Sequence, residues 1–424
     1  MSEVDPGVGP VVLQGGRPVR TPAGGAPGER LTDFGRQVAG RPALVYRPRS
    51  ATELTDAIAE ATAWGHRVVP RGLGHSVDGQ TVVDGSALID LSGLRRVHRV
   101  TDTWIRVDAG ATWRDVLDAT LPRRRAPVVV PDYLGLTVGG TLSVGGISGA
   151  SHRFGTAADH VLRATVLDVH GHSHDLIVGD PLLDRVLCGH GRHGVLVAVD
   201  LELHAVPRRV RRSDIVTRTL QDHTDVQRNL LTAGSVHWLE GFAVRGVDGL
   251  PTFTTRLSRF EELGGPDLAM DRTRGWSDVG EFYARADGTV AGERAVGRWQ
   301  HHAHPRLQSI LPLEAGRGVV EDLLARSHAD LLGPGGAVMI YVTVAAALKR
   351  LAVRGDQGGY ALVVGWQRTA PRDDLDTLRR MQAANRRVVE LTRELGGVLY
   401  GAVVGRAVAG GGESGADEEL KDEG

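Results

Sequence analysis

Hydrophobic and polar positions change their spacing along the chain, and the changes predict an α+β protein. Up to residue 38 the chain is rich in Gly, Pro and Arg without sustained periodicity, so we expect a loose leader over residues 1–38. From Pro42 short apolar runs alternate with helical patterns. ALVYRPRS, HRVVPRG, SALIDLSGL, VLRATVLDVHGHSHDLIVG and HGVLVAVDLEL predict strands, and WIRVDAGATWRDVLDATL predicts a strand, a turn and a helix.

The segment SATELTDAIAEATAWG predicts a helix with Ser50 or Thr52 as its N-cap and Gly65 at its end. These elements together predict one domain over residues 39–207.

From residue 208 to 400 longer charged segments alternate with apolar ones. Helices are predicted for SDIVTRTLQDHTDVQRNLLTAG, GVVEDLLARSHADLL and DDLDTLRRMQAANRRVVELTRELGG, and strands for VHWLEGFAVRG, AVMIYVTVA and YALVVGWQR. We therefore expect a second α+β domain over residues 208–400, with one sheet covered on one face by helices. Residues 401–424 are Gly-rich and then acidic, which predicts disorder.

Composition excludes several classes of function. The 50 basic and 51 acidic side chains nearly cancel, which argues against a nucleic-acid partner. Cys188 is the single cysteine, so an intramolecular disulfide and a multi-cysteine metal site are excluded. The N-terminus lacks the pattern of a secretory signal, and no run approaches the roughly 20 apolar residues of a membrane span. We expect a cytoplasmic protein without a membrane partner.

Three glycine-rich segments carry the candidate chemistry: Arg71-Gly72-Leu73-Gly74-His75-Ser76 with Gln80 beyond it, residues 137–149, and residues 189–194. Glycines lack a Cβ, so backbone N–H groups can approach an anion closely. The second segment is too rich in glycine for a stable helix and suits backbone that wraps a large ligand. The third matches G-x-G-x-x-G, but a predicted strand follows it instead of a helix, so the nicotinamide-binding interpretation fails.

These segments resemble a known flavoprotein family. The carrying residues are PRGLGHSVDGQ (70–80), PDYLGLTVGGTLSVGGISG (131–149) and CGHGRHGVLVAVDLEL, with further likeness in VHWLEG (236–241), RWQHHAHPRL (298–307) and NRRVVELTRELGGVLY (385–400). They resemble the PCMH-type FAD-binding domain of the vanillyl-alcohol oxidase type, and most closely the cytokinin dehydrogenase family. The resemblance implies an FAD-binding α+β domain followed by a second α+β substrate domain.

The resemblance also implies roles for particular residues. His75 matches the histidine that bonds covalently to the flavin 8α-methyl group. Asp132 matches the acid that takes a proton from the substrate amine, and Glu240 resembles the acidic contact to the purine end of a cytokinin. The family oxidises the C–N bond of the side chain in N6-substituted adenines. Positions matching residues that line FAD are Arg71, Gly72, Leu73, Gly74, His75, Ser76, Gln80, Asp132, Thr137, Gly139, Gly140, Ser143, Ile147, Gly194 and Leu196.

Elementary chemistry agrees with these roles. A flavin accepts hydride, and the protein has to orient the donor carbon and handle the substrate proton. Asp132 follows Val128-Val129-Val130-Pro131, and apolar surroundings raise a carboxyl pKa and make it a better base. We expect a small-molecule substrate, oxygen or a quinone as electron acceptor, and a monomer or homodimer.

Each assignment has a structural alternative. His75 could be a turn histidine, Asp132 a cap residue after Pro131, and Glu240 a solvated strand residue. The histidines at positions 152, 160, 170, 172 and 174 could suggest a metal cluster, but the family gives them no such role, and we expect no metal.

Two departures from the family pattern support alternative functions. Arg306 follows His304-Pro305, where the family usually has Trp, and a cation there favours an alcohol, sugar or secondary metabolite as substrate. Members of the family continue past the Tyr400 region with a segment that folds back onto the flavin domain, whereas here a Gly-rich acidic stretch follows. A frameshift or a truncation is one hypothesis for this departure. The departure supports a third alternative, a catalytically impaired flavin-binding protein.

Overall fold

The computed structural model describes residues 11–14, 17–20, 30–82, 84–245, 251–260, 272–326 and 332–401. Its first half alternates short strands with short helices. The elements are β1 Val11–Gln14, β2 Arg17–Arg20, β3 Leu31–Thr32, β4 Ala39–Gly40, β5 Leu44–Tyr46, α1 Ala51–Ala63, β6 Val68–Arg71, β7 Ala87–Asp90, β8 Val97–Val100, β9 Trp104–Asp108, α2 Trp113–Thr120, β10 Arg125–Ala126, α3 Val138–Leu142, α4 Ser151–Phe154, β11 Val161–Leu167, β12 Ser173–Ile177, α5 Pro181–Val186, β13 Val195–Glu202 and β14 His204–Ala205.

Two five-stranded sheets organise this half. The first has the order β2-β1-β5-β7-β6, with β1, β5, β7 and β6 parallel, and the second is antiparallel in the order β12-β11-β13-β9-β8. Buried side chains of α1 and the first sheet pack with Val195 and Val197 of β13 in one core cluster. The core between the sheets therefore fixes where the loops after β6 and before β13 meet.

The prediction of a loose leader over residues 1–38 is wrong for the part that the structure describes. β1 pairs in parallel with β5 and extends the first sheet, and β3 pairs with β4. Asp33, between β3 and β4, is buried. The Gly- and Pro-rich composition hid strands whose stability comes from pairing with later parts of the sequence.

Helix α1 follows its sequence prediction closely. Of the two candidate N-caps, Ser50 caps the helix, because its hydroxyl accepts a hydrogen bond from the Glu53 amide at 3.1 Å. The backbone leaves the helix through Gly65, whose φ of +73° lies in the left-handed region that favours glycine.

The second glycine-rich segment contains a helix that its composition did not predict. Helix α3 is a single turn, and Thr137 caps it by accepting from the Gly140 amide at 3.3 Å. The Val138 and Gly139 amides donate to Ala111 and Ala109 at 2.8 and 2.7 Å. These tertiary hydrogen bonds outweigh the poor helix propensity of two adjacent glycines.

One large sheet organises the second half. The elements are β15 Arg209–Thr217, α6 Leu220–Thr232, β16 Trp238–Arg245, β17 Pro251–Arg259, β18 Arg272–Asp278, α7 Val279–Tyr283, α8 Asp287–Ala295, α9 Arg298–His301, β19 Leu307–Pro312, α10 Leu313–Arg326, β20 Ala337–Val344, β21 Tyr360–Gln367, α11 Leu375–Glu394 and β22 Val398–Tyr400. The sheet has eight antiparallel strands in the order β18-β15-β17-β16-β20-β21-β19-β22.

The two faces of this sheet have different neighbours. On one face, α6, α10 and α11 contribute Leu220, Val320 and Val388 to a core cluster with sheet residues. On the other face, a cluster around Leu239 and Tyr341 packs against Ile147 and other partly buried residues. The sheet therefore faces the second glycine-rich segment, while the limits of the two domains stay a prediction.

Some elements of this half differ from the sequence prediction. The first residues of SDIVTRTLQDHTDVQRNLLTAG belong to β15, and α6 begins only after Thr219, whose hydroxyl accepts from the Asp222 amide at 3.0 Å. The run Ile215-Val216-Thr217 is β-branched and favours a strand. Strands β17, β18, β19 and β22 were not predicted. The disorder predicted for the tail falls, from residue 402 onward, outside the described residues, as do residues 327–331 of the second predicted helix.

Among the described residues, no helix combines the length and the apolar character needed to cross a membrane.

Candidate functional site

The three glycine-rich segments meet at one place. A Cβ on Gly72 would lie 2.3 Å from Oγ1 of Thr137, so the first segment lies against the second. The His190 amide donates to the Ser143 carbonyl at 2.8 Å, which joins the third segment to the second. The strand β13 follows the third segment, as expected, and this confirms that G-x-G-x-x-G does not open a helix here. Segments far apart in sequence therefore form one glycine-lined surface.

The loop after β6 presents unused backbone donors. Within the described part of the protein, nothing accepts a hydrogen bond from the amides of residues 73–76. The carbonyls of Gly74 and Ser76, in contrast, accept from the Phe34 and Gly35 amides at 2.8 and 3.1 Å. The loop is thus anchored through its carbonyl groups and leaves its N–H groups for a ligand. Such a nest suits an anion, and the pyrophosphate of FAD fits this donor set.

Asp33 holds this loop from the segment predicted to be loose. One carboxylate oxygen accepts from the Ser76 hydroxyl at 2.9 Å and from the Gly79 amide at 2.7 Å. The other oxygen accepts from the Arg36 amide at 3.2 Å. Burial raises the pKa of Asp33, while these hydrogen bonds oppose the rise. Sequence reasoning missed Asp33 because no local pattern marks an acid that acts across 43 residues.

His75 lies in a cluster of aromatic rings. Phe34 stacks against His75 at 4.4 Å and against His304 at 4.2 Å, measured between ring centroids. Tyr133 and Trp299 lie 4.9 and 5.3 Å from the His75 ring. Burial, and secondarily the nearby guanidinium of Arg306, lower the pKa of His75 to about 3. The imidazole is therefore neutral at pH 7, which keeps a nitrogen lone pair available for bond formation.

Asp132 and Glu240, predicted as the acidic pair, are joined by an arginine. Arg285 donates through Nη2 to Asp132 Oδ1 and to Glu240 Oε1. Trp238 donates through its indole nitrogen to the same Glu240 oxygen at 2.6 Å. The side chain of Asp132 is 36% exposed and that of Glu240 only 7%. Glu240 is therefore a buried, hydrogen-bonded residue of β16, and the alternative of a solvated strand residue is wrong.

The two carboxyl groups differ in proton affinity. Burial and then the negative charge of Glu240 raise the pKa of Asp132 to about 7, against the opposing effect of Arg285. The pKa of Glu240 is lowered, because Arg285 and the Trp238 hydrogen bond outweigh its burial. The direction for Asp132 is the one predicted from its apolar neighbours in sequence. Asp132 can thus exchange a proton near neutral pH while Glu240 stays ionised.

The remaining predicted residues of the first segment differ in their contacts and in their exposure. Arg71 directs its guanidinium at the carbonyls of Thr32 and Thr81, at 2.9 and 3.4 Å, so it braces the loop. Gln80 donates to the Gly401 carbonyl at 2.8 Å. Leu73 is 52% exposed.

Several residues of the other two segments make contacts inside the protein. The amides of Gly146 and Ile147 both donate to the Tyr400 hydroxyl, at 3.1 and 3.2 Å. Leu196 is buried on β13. A Cβ on Gly194 would lie 2.6 Å from Val166 Cγ1, so this position excludes any side chain. Tyr400, at the edge of the large sheet, was missed because its partners lie on a distant segment.

Two histidines and a glutamate approach one another away from this site. His160 Nδ1 lies 2.9 Å from a Glu202 oxygen, and His204 Nε2 lies 3.3 Å from the other oxygen. The ligand atoms are close enough for a cation. Both ring nitrogens of His160 already have partners, however, since Nε2 donates to the Phe154 carbonyl at 2.8 Å. His160 is therefore occupied by hydrogen bonds to Glu202 and to the Phe154 carbonyl.

Comparison with known proteins agrees with this geometry. Residues 42–176 match a family described as an FAD binding domain. The protein is 29% identical over 381 residues to an uncharacterised oxidoreductase, ORF5 in the fasciation locus of Rhodococcoides fascians, with 87% of this sequence and 86% of that protein covered. It is 34% identical over 221 residues to cytokinin dehydrogenase 7 of Oryza sativa subsp. japonica, covering 48% of this sequence and 42% of the rice enzyme. Against cytokinin dehydrogenase 5 of the same plant, identity is 26% over 442 residues, covering 87% and 80%.

These matches, together with the glycine-lined surface and the pair of carboxyl groups, define an FAD-dependent oxidoreductase. Within that class, the proteins that it resembles are the oxidoreductase of the fasciation locus and plant cytokinin dehydrogenases.

Proposed function

We propose that the protein oxidises the C–N bond of the side chain in N6-substituted adenines and carries FAD bonded covalently to His75. The observation that supports this most is the Asp132–Arg285–Glu240 network, because it offers one carboxyl group that can take a proton and one that stays charged. The named plant relatives are cytokinin dehydrogenases, which agrees with this substrate class.

The cofactor would be held by backbone and by one side chain. The free amides of residues 73–76 suit its pyrophosphate, and the glycines of residues 137–149 leave room for it. When bound, the flavin supplies the acceptor for a hydride from the substrate carbon. The neutral, buried imidazole of His75 would hold the flavin through its 8α-methyl carbon, which loses a proton from a C–H bond while the flavin ring takes up the two electrons. The protein itself has to bind the substrate, exclude water and manage one proton.

Asp132 and Glu240 have separate tasks in this proposal. Asp132, the more open of the two, accepts the proton of the substrate amine as the carbon gives up hydride. Glu240 accepts a hydrogen bond from a purine N–H group, and the Trp238 indole fixes the orientation of its carboxylate. The imine product would then hydrolyse to adenine and an aldehyde.

The direct test is turnover of isopentenyladenine with a quinone acceptor by flavin-loaded protein, beside the Asp132→Asn variant. We expect turnover by the wild type and a loss of about 10²–10⁴-fold in kcat/KM for the variant. Wild-type protein that holds flavin but does not oxidise any adenine derivative would refute the substrate assignment. Flavin that no substrate of any class reduces would instead support the catalytically impaired alternative.

A second candidate function follows from Arg306. Its guanidinium lies 4.9 Å over the Phe34 ring, and its buried Nε lacks a hydrogen-bond partner within the described residues. Glu293, the nearby acid, is bonded through both oxygens to Arg298, at 2.7 and 2.8 Å. Arg306 is thus a cation beside His75 that has no acid of its own among the described residues. Such a cation favours a substrate with a carboxylate group, which would be an alcohol, a sugar or a secondary metabolite.

Oxygen-consumption assays with carboxylated substrates and their neutral amides separate the two candidates. A preference for the acids of at least about tenfold, lost in Arg306→Trp, would support the second candidate. Equal rates for acid and amide, or no oxygen consumption with either, would count against it.

A further inference from the structure

We infer that Arg285 is a positioning residue that lets Asp132 act as a proton acceptor although the charged Glu240 lies beside it. The inference rests on the proposed function of Asp132, and it assigns a role to a cation that the sequence analysis did not single out.

One nitrogen atom of Arg285 connects the two acids. Nη2 donates to Asp132 Oδ1 and also to Glu240 Oε1, so both oxygens lie around a single donor. Two carboxylates at such close range repel each other, and without compensation one of them takes up a proton. A protonated Asp132 could not accept the proton of a substrate amine. The positive charge between the acids therefore keeps the ionised form of Asp132 within reach near neutral pH.

The arginine is itself held in place. Its side chain is only 12% exposed, and its guanidinium carbon lies 4.6 Å from the ring centroids of both Trp238 and Phe282. Nη1 donates to the Phe282 carbonyl at 3.1 Å. The two rings and this carbonyl leave Nη2 aimed at the acids. The planar guanidinium is thus preorganised, and the acids do not have to recruit it.

The other titratable groups near the acids are phenols and do not replace this charge. Tyr341 of β20 faces both Asp132 and Glu240, and burial together with their charges raises its pKa well above the ordinary value. Tyr283 of α7 faces Arg285, and burial likewise raises its pKa. Both phenols are neutral at pH 7. Among the described residues, Arg285 is therefore the cation that these acids contact.

The geometry also explains why Asp132 and not Glu240 changes protonation. Glu240 receives a second hydrogen bond, from Trp238 at 2.6 Å, and this bond helps to stabilise its ionised form against the effect of burial. Within the described part of the protein, Asp132 accepts a hydrogen bond from the arginine alone, and a side-chain hydrogen bond with Glu240 stabilises its protonated form. Removing the arginine charge should therefore move the proton onto Asp132.

The experiment compares Arg285→Met, which removes the charge, with Arg285→Lys, which keeps it. Arg379→Met is the matched control, because this arginine is 73% exposed on α11 and pairs with Asp376, far from the acids in the sequence. For each variant the acid limb of kcat/KM is followed against pH with isopentenyladenine. Independently of turnover, infrared titration follows the carbonyl stretch of the protonated carboxyl group, which Asp132→Asn assigns to Asp132.

In Arg285→Met, we expect the acid limb of kcat/KM and the infrared transition to move upward by at least about one pH unit. At a pH below the transitions of both the wild type and the variant, this shift is about a tenfold loss of kcat/KM. Arg285→Lys should restore most of the shift, and Arg379→Met should match the wild type. Circular dichroism and flavin content show whether each variant folds. If Arg285→Met does not fold, Arg285→Lys still provides a test.

An Arg285→Met infrared transition that coincides with that of the wild type would overturn the inference, as would a lysine variant that titrates like the methionine variant. If no adenine derivative is oxidised, the proposed function fails, but the infrared titration still decides the role of Arg285.

Discussion

Gly149 ends the second glycine-rich segment and lies against the indole of Trp238. A Cβ built on Gly149 would meet Trp238 Nε1 at 2.2 Å and Cδ1 at 2.3 Å. The Gly149 carbonyl also accepts from the Leu239 amide at 2.9 Å, so the backbone is tied to β16 at this point. Trp238 is only 2% exposed and has a rigid ring, so it has little room to withdraw. We therefore expect Gly149→Ala to destabilise the protein by about 1–3 kcal/mol through overpacking.

The same geometry predicts that the cost disappears when the indole is removed. Trp238→Ala should cost about 3–5 kcal/mol, because it removes a large buried ring. In that background a methyl group at Gly149 enters the space that the indole has left. The double variant should therefore be no less stable than Trp238→Ala, which gives a coupling energy of about 1–3 kcal/mol.

Urea unfolding followed by far-ultraviolet circular dichroism measures the four free energies of this cycle. Gly292→Ala on α8 is the matched control, since a Cβ there has no atom within 4 Å. That helix substitution should be neutral or stabilising by up to about 1 kcal/mol. Additive effects of the two site substitutions, within about 0.5 kcal/mol, would refute the described contact between Gly149 and the indole.

The remaining predictions concern the flavin and the proton. In His75→Ala, the flavin colour should be lost from the acid-precipitated protein. In the control Leu73→Ala, which changes a residue that is 52% exposed, the colour should stay with the precipitate. Colour that stays with the precipitate of His75→Ala would contradict the attachment site. Because the pKa of Asp132 is raised to about 7, the ionised base forms as pH rises through that value, so kcat/KM should fall about tenfold per pH unit below it. The acid limb should vanish in Asp132→Asn, and a limb that persists there would assign the proton to another group. Asp33→Ala should weaken flavin retention and stability, because the Ser76 hydroxyl and the Gly79 amide lose their acceptor at a cost of about 1–3 kcal/mol; unchanged thermal unfolding would speak against this anchor.

Local signals account for the parts of the fold and site that could be predicted from sequence. Helix α1 follows from a serine cap and a closing glycine. The loop around His75 follows from glycines whose role is local, and the apolar residues before Asp132 indicate the direction of its pKa shift. These features depend on neighbours within a few positions, so one sequence is enough to find them.

Other parts of the site depend on contacts that no local pattern encodes. Arg285 meets Asp132 across 153 residues and Glu240 across 45, and nothing near it in sequence distinguishes it from the many other arginines. Asp33 and Phe34 lie in a Gly- and Pro-rich stretch whose composition suggested an irregular leader. The anchoring of α3 by the residues that follow β9 is a tertiary effect that overrides glycine propensity.

The hydroxyl of Tyr400 joins the second glycine-rich segment to the edge of the large sheet, and this has a consequence for biosynthesis. Gly146 and Tyr400 are 254 residues apart. At about 5–20 residues per second, the ribosome adds Tyr400 about 13–50 s after Gly146. During that interval the second glycine-rich segment lacks the hydrogen-bond partner of its Gly146 and Ile147 amides. This contact between the second glycine-rich segment and strand β22 therefore forms late, after the first half has had time to fold.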